Sequence, residues 1–374
     1  MRELSELAMT DVGTRNKSGR VWKLGLTSAL VVFCYVLIRN VLYVNAGLLR
    51  PDFGEIHKAY NFNLWELPMT LLGVSVVFAG LAVTWRGLRK GLVRIALLYV
   101  FVAVDLLALR YYVTTVEPQR LVVHHVRLET PKLTKPIRLL HISDIQSGGI
   151  TDYEVQMFEQ IKTLEPDLIL NTGDFLQVVP PATFEAEFPK LLAMIREVNP
   201  RLGTYAVYGD TERELYRIPA DQLAPLQMLS SRSARIDTGG GVLNLHGLSL
   251  YQSKNQLWAT RTVDDWLAQA QAGDFRILFG HAPDYALKVV DLPIDLCLAG
   301  HTHGGQVRLP WHGALVIDSE VPKEWARGFR RIGVPYLNVS AGAGSNRFNG
   351  LPPLRFNCPT EMTLIELVPM RSIR

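Results

Sequence analysis

Apolar sequence is concentrated in the first third of this 374-residue chain, in three segments at residues 24–44, 64–83 and 92–109. Lipid offers no partner for backbone N–H and C=O groups, so segments of near-spanning length that enter a bilayer must be helices. The first is the weakest: its purely apolar part covers only 24–38, and it reaches spanning length by taking in Arg39 and Asn40. Trp65 and Trp85 flank the second, and Tyr111 and Tyr112 follow the third, where amphipathic rings suit a headgroup layer. A cleavable leader fits poorly, because the basic N-terminal stretch is long, no small-residue cleavage site follows, and further apolar segments do. The expected organisation is a basic flank over 1–23 and three transmembrane helices within 24–112. Asp105 is a polar cost inside the third segment; it either pairs within the bundle, which is the expectation, or marks a function.

Lysine and arginine in the short flanks set the expected orientation. Arg2, Arg15, Lys17, Arg20 and Lys23 precede the first segment, and Arg86, Arg89 and Lys90 lie between the second and third. The loop between the first two holds Arg50 and Lys58 beyond Arg39. The positive-inside rule puts the N-terminus and the second loop in the cytoplasm. Three crossings then deliver the rest of the chain to the periplasmic or extracellular side.

Beyond residue 112 the pattern changes. After a linker and first strand over 113–135, short runs rich in β-branched and bulky apolar residues alternate with amphipathic stretches. Strand-like runs fall at 121–126, 137–141, 168–171, 204–208, 242–245, 276–279, 296–298 and 336–339, most of them closing in Gly, Asp or Ser. Helical spacing marks 153–164 and 184–198; in the second, Phe184, Phe188, Leu191 and Ile195 share a face. This alternation indicates an α/β domain over 136–374, with stacked sheets flanked by helices.

Composition excludes some chemistry. A net charge of +4 with no basic, aromatic-interleaved run argues against a nucleic-acid partner. Three widely separated cysteines (Cys34, Cys297 and Cys358) offer neither a CxxC metal knuckle nor a disulfide framework; a Cys297–Cys358 bond is the one pairing left open, and Cys297 reads instead as a buried strand residue.

Asp and His residues recur where the strands end. Asp144 and Gln146 follow one in SDIQ, Asp174 another in TGD, Asp210 a third in YGDTE, His281 a fourth in FGHAP, and His301 and His303 a fifth in AGHTHGGQ. Any one of these alone would be read as a cap or a hydrogen-bonded core residue. Five strands in order, each ending in such a turn, point instead to a site assembled at the strand ends of an α/β sheet. Convergence would make a carboxylate–imidazole cluster with room for two divalent ions. The remaining histidines (His57, His124, His125, His141, His246 and His312) lie outside these turns and read as structural or surface residues.

The series resembles the calcineurin-like metallophosphoesterases, whose motifs run D-x-H, GD, GNH-D/E, H and GHTH. It is most similar to a membrane-associated bacterial branch that includes UDP-diacylglucosamine pyrophosphatase-like enzymes. The likeness spans about residues 137–367 and includes the tail from Val339 to Leu367, with Arg355 and the segment Pro359 to Glu361 before a last strand. It implies two packed mixed sheets with helices on both outer faces, a four-layer fold. It also implies Asp144, Gln146 and His303 on one metal, Asp210, His281 and His301 on a second, and Asp174 bridging. The reaction implied is in-line attack on phosphorus by a metal-bridging hydroxide.

Three positions depart from that pattern. Gln146 stands where the family has His, Asp210 where it has Asn, and Thr211 where it has the histidine credited with aiding the leaving group. The first two substitutions enrich the site in hard oxygen donors and favour Mn²⁺ or Fe²⁺ over Zn²⁺. The third removes a proton donor, which favours phosphodiester or pyrophosphate substrates with weakly basic leaving groups. Catalytic roles therefore fall to Asp210, Thr211 and Glu212, the last occupying the family's Asp/Glu position. Two functions are open to such a chain. One is a phosphohydrolase anchored in a bacterial inner or plasma membrane, acting on a phosphorylated, lipid-linked or nucleotide-diphosphate-linked substrate. The other is a weakly active or inactive binding or sensing module on a membrane stem.

Overall fold

A computed structural model of the chain describes residues 2–49, 53–211, 213–348 and 351–370. The fold divides into two compact units, Met1–Tyr112 and Val113–Arg374.

The first unit is helical: α1 (Arg2–Leu49), α2 (Phe53–Asn61), α3 (Leu67–Thr84) and α4 (Arg89–Tyr111), with one π-helical turn, Phe62–Glu66, leading into α3. Three stretches, Gly19–Tyr43, Phe53–Thr84 and Arg86–Gln119, are long and apolar enough to cross a membrane. Leu71, Phe78 and Ala82 of α3 pack against Leu92, Ala96, Tyr99 and Ala103 of α4. The opposite faces present Val76, Val83, Leu97 and Phe101 outward, which would be costly in water and is ordinary in lipid. The polar residues that interrupt the first apolar segment are satisfied within the unit. Arg39 donates to the Tyr43 hydroxyl at 2.7 Å and to Glu66 at 3.3 Å, and Asn40 and Asn63 exchange two amide hydrogen bonds of 3.1 and 2.7 Å. Asp105, expected to pair inside the bundle, instead lies exposed on α4 and forms no ion pair among the described residues. It stands on the outer face of the helix, away from the α3–α4 seam.

The second unit holds fourteen strands among its described residues. In chain order they are β1 (Val122–Thr130), β2 (Ile137–Ile142), β3 (Leu168–Asn171), β4 (Thr204–Ala206), β5 (Leu226–Met228), β6 (Arg232–Asp237) and β7 (Val242–Gly247). There follow β8 (Phe275–Phe279), β9 (Leu296–Ala299), the short hairpin β10 (Arg308–Leu309) and β11 (Gly313–Ala314), then β12 (Gly328–Arg331), β13 (Tyr336–Val339) and β14 (Glu361–Pro369). The helices are α5 (Asp152–Thr163), α6 (Phe184–Val198), α7 (Leu250–Lys254) and α8 (Gln256–Gln269).

Two six-stranded sheets result, ordered β1-β14-β2-β3-β4-β5 and β12-β13-β9-β8-β7-β6. Both are mixed: β14 runs antiparallel to β2 in the first, and the edge pairs β6–β7 and β12–β13 are antiparallel in the second. Leu139, Leu170, Val207, Leu245, Ile277 and Leu298 meet between the sheets. Met157, Ile161 and Leu191 of α5 and α6 cover the first sheet outside, and Ala259, Val263 and Trp266 of α8 cover the second. The order helix, sheet, sheet, helix is the expected four-layer α/β architecture. Strand β6 was not legible in its sequence, because Arg232–Asp237 lies mostly exposed at a sheet edge and is held by its pairing with β7 rather than by an apolar face. The run at 204–208 is a strand only through Ala206; Val207 and Tyr208 already belong to the turn that carries Asp210.

The strands that end in the Asp- and His-bearing turns, β2, β3, β4, β8 and β9, occupy the middle of the two sheets. Parallel pairing of β2–β3–β4 and of β8–β9 brings their C-terminal ends to one edge of the sandwich.

Candidate metal centre

Backbone hydrogen bonds zip these turns together. Asp144 N donates to Gly173 O and Gln146 N to Asp174 O, both at 2.9 Å, while Ala343 N and Gly344 N donate to Ser143 O and Asp144 O at 2.8 Å. The SDIQ turn is thus held between the TGD turn and the loop after β13. Five of the seven candidate ligands are non-glycine residues with left-handed backbone: Asp144 (φ 50°), Gln146 (39°), Asp174 (61°), His301 (69°) and His303 (48°). Each such residue costs on the order of 1–2 kcal/mol, which the surrounding bonds must over-determine, and strain of this kind gathers at functional sites. Two glycines leave space for the carboxylates. A Cβ on Gly209 would lie 2.0 Å from Asp174 Oδ1, and one on Gly300 would lie 2.3 Å from Asp144 Oδ2.

Asp174 stands at the centre. Its Oδ2 accepts from Gln146 Nε2 at 2.5 Å and lies 3.5 Å from His281 Nε2, while its Oδ1 accepts from both the N–H and the hydroxyl of Thr211. His281 points Nδ1 at the Thr172 carbonyl, 2.8 Å away, so that Nε2 faces the carboxylates of Asp174 and Asp210. His301 Nδ1 lies 3.4 Å from Asp210 Oδ2, and His303 Nε2 lies 3.5 Å from Asp144 Oδ1. Asp210, His281 and His301 bring one ligand atom each within 4.8 Å of one another, and so do Asp144, Asp174 and His281. Every candidate ligand therefore sits in a single cluster. Of the three residues given catalytic roles, Asp210 belongs to that cluster, Thr211 borders it through Asp174, and Glu212 lies outside the described residues.

The electrostatics of the cluster are those of a cation site. Burial pushes the Asp144 carboxyl up to about 6, against the pull of His281 and with a further push from Asp174. Burial also works to raise Asp210, but its hydrogen bond with His301 and the charges of His281, His301 and Lys254 prevail and hold it below the usual carboxylate range. Burial holds His303 well below the ordinary histidine value, reinforced by Arg355, so its imidazole is neutral and carries a lone pair. Gln146 Oε1 is buried with no hydrogen-bond partner among the described residues. A buried Asp144 carboxyl pushed upward, an unsatisfied amide oxygen at Gln146 and a neutral imidazole at His303 are together a donor set suited to a divalent cation.

Surrounding groups went unread in the sequence. Ser143 donates to Asp144 Oδ2 at 2.5 Å, and Arg347 donates to the Gln146 carbonyl at 3.0 Å. Lys254 Nζ lies 3.2 Å from Asp210 Oδ2. Beside His301 a cleft of about 250 Å³ is lined by Lys254, Asp284, His301, Asp318, Ser319 and Glu320. Arg355, noticed only as part of the tail, is fully buried and donates to the carbonyls of Ala341, Gly344 and Cys358 and to the Ser345 hydroxyl. His141, read as structural, is buried between the sheets, bonded to the Thr172 hydroxyl and to Asn338, and burial lowers it to about 3.

Comparison with known proteins agrees with this chemistry. The calcineurin-like phosphoesterase family matches residues 137–305, the stretch from β2 through the GHTHGG turn. Phosphodiesterase YaeI of Escherichia coli is 31% identical over 245 residues, covering 62% of this chain and 83% of the relative. The uncharacterized metallophosphoesterase YkuE of Bacillus subtilis is 27% identical over 236 residues, 60% of this chain and 78% of the relative. The UDP-2,3-diacylglucosamine pyrophosphatase LpxG of Chlamydia trachomatis is 25% identical over 224 residues, 47% of this chain and 66% of the relative. With its fold, its ordered motifs and these relatives in agreement, this chain belongs to the calcineurin-like phosphoesterases, a family of metal-dependent phosphoester hydrolases.

Proposed function

We propose that this chain is a membrane-anchored phosphohydrolase that uses two divalent ions to cleave a phosphodiester or pyrophosphate bond. The observation that carries the reading is the position of Asp174, whose carboxylate touches Gln146 and Thr211 and faces His281. Asp144, Gln146 and His303 would hold one ion, Asp210, His281 and His301 the other, with Asp174 shared. When bound, the ions supply an acidified water as nucleophile and neutralise charge building on the phosphoryl oxygens.

The chain's own residues do the remaining work. Thr172 O orients His281 by holding Nδ1, which directs Nε2 into the site. Ser143 and the backbone N–H of His301 fix the Asp144 carboxylate. Thr211 spends its hydroxyl on Asp174, so position 211 offers no acid to a leaving group. A leaving phosphate or activated alcohol needs little protonation, which favours pyrophosphate and activated diester bonds over alkyl monoesters. The oxygen-rich donor set favours Mn²⁺ or Fe²⁺ over Zn²⁺.

Outward-facing apolar side chains on the three long helices support anchoring in a bacterial inner or plasma membrane, and the flanking charges favour a periplasmic or extracellular catalytic domain. Anchoring raises the local concentration of a lipid-linked substrate. One relative is named for a pyrophosphatase of a diacylated nucleotide sugar, which is the same substrate class.

The deciding experiment is hydrolysis of bis-p-nitrophenyl phosphate by the full-length protein with added Mn²⁺, alongside His301→Ala. Metal-dependent turnover lost in the variant is the expected result. Metal binding without turnover across a panel of diesters and diphosphates would instead identify a binding or sensing module. Stoichiometric zinc in gently purified protein would overturn the manganese preference, and a reporter fused to the C-terminus reads the side of the membrane.

A further inference from the structure

We propose that Lys254 is a substrate-binding cation, holding the second phosphate of a diphosphate-containing substrate. This rests on the phosphohydrolase reading and specifies its substrate class.

The placement of Lys254 is built into the fold. It closes α7, a short helix whose start is fixed by a reciprocal capping box between Ser249 and Gln252. Gln252 also bonds Ser231 and Thr262, which ties α7 to its neighbours. Ser253 accepts from the N–H of Ala282, the residue after His281. A Cβ on Gly280 would lie 2.8 Å from that of Ser253, so the helix is docked directly against the His281 turn. The next residue, Lys254, is thereby delivered to the site.

Its ammonium meets Asp210 Oδ2, the same oxygen that lies 3.4 Å from His301 Nδ1 and 4.0 Å from His281 Nε2. A divalent ion bound by these three residues would claim that oxygen and leave the ammonium beside it without its anion. The pair is about two-fifths exposed on each side, so it adds little to stability. Among the described residues, Lys254 is the only lysine or arginine lining the cleft beside His301. The carboxylates there are otherwise engaged: Asp284 accepts from Ser319 and Glu320 N, Glu320 accepts from Gln256, and Asp318 faces His301 Nε2 at 3.7 Å. Among the described residues, Lys254 is thus the one cation of that lining able to take a phosphate oxygen, while the carboxylates of Asp284, Asp318 and Glu320 disfavour an anion elsewhere in the cleft. A compact charge on a flexible four-carbon stem can follow it as the substrate seats.

The test uses the full-length protein in detergent with saturating Mn²⁺. Binding of methylenediphosphonate and of inorganic phosphate is measured by calorimetry for wild type, Lys254→Met and Lys254→Arg. Loss of one charge-assisted contact should weaken the diphosphonate about tenfold or more in Lys254→Met. Inorganic phosphate should be unaffected, and Lys254→Arg should recover most of the loss. Unchanged diphosphonate affinity in Lys254→Met, equal weakening of both ligands, or no diphosphonate binding by the wild type would each overturn the proposal. Turnover is read separately: Lys254→Met should raise KM for a nucleotide-diphosphate substrate by a larger factor than KM for bis-p-nitrophenyl phosphate. If the wild type turns over neither substrate, the hydrolase reading fails while the binding comparison still decides the role of Lys254.

Discussion

Thr211 donates both its N–H and its hydroxyl to one oxygen of Asp174, at 3.0 and 3.1 Å. The hydroxyl and the N–H of this residue thus both support the central carboxylate. Removing the hydroxyl while keeping the shape, in Thr211→Val, should lower Mn²⁺ affinity by about tenfold, a usual effect of losing a group that orients a metal ligand. Metal titration checks this. Restoring an acid with Thr211→His should speed alkyl diesters by about 10²-fold and leave p-nitrophenyl esters nearly unchanged. In the wild type, glycerol phosphate should turn over more slowly than a nucleotide diphosphate, and the reverse order would remove the leaving-group argument.

Asp174→Asn separates the structural from the metal-binding role of that carboxylate. Neutralising it relieves Asp144, whose carboxyl Asp174 helps to push upward, so the metal-free protein should be no less stable than wild type. The stabilisation that Mn²⁺ gives by binding only the folded state should disappear. Thermal melts with Mn²⁺ and with EDTA distinguish the outcomes; a variant that melts far below wild type in EDTA would contradict this account.

Acid should weaken metal binding through Asp144. Its folded value of about 6 lies above the ordinary carboxylate value of 3.8. The metal-free fold therefore gains stability from proton uptake at low pH and loses it as pH rises through about 6. A metal must displace that proton, so Mn²⁺ affinity should fall by roughly tenfold per pH unit below about 6. Burial favours the neutral imidazole at position 303, holding His303 well below the ordinary histidine value. Calorimetric titrations at pH 5 and 7.5 measure the effect, and Asp144→Asn should abolish the metal response altogether.

Arg355 secures the loop that backs the SDIQ turn. Its guanidinium serves the carbonyls of Ala341, Gly344 and Cys358, and Gly344 N in turn holds Asp144 O. Arg355→Met leaves those buried carbonyls without donors and should cost about 3 kcal/mol or more. Urea unfolding of the variant checks the magnitude; Arg355→Lys should recover only part of it, since an ammonium cannot reproduce the planar fork.

The sequence by itself determined the layered α/β class, the three apolar helices and the identity of the groups at each strand end. These are local matters: strand and helix periods, apolar runs and turn residues are written within a few positions of where they act. It also marked Thr211 as a departure, because a missing histidine is visible in a string of letters. Tertiary structure decided what that departure became. The double bond from Thr211 to Asp174 joins turns that follow different strands, and the left-handed backbone of Asp144, Gln146, Asp174, His301 and His303 persists only because neighbouring turns hold it. The exposure of Asp105 was likewise a matter of which helix face met α3. Lys254 arrives at Asp210, 44 residues earlier in the chain, because α7 docks on the His281 turn across Gly280. Contacts of that range depend on how whole layers pack, and no local pattern encodes them.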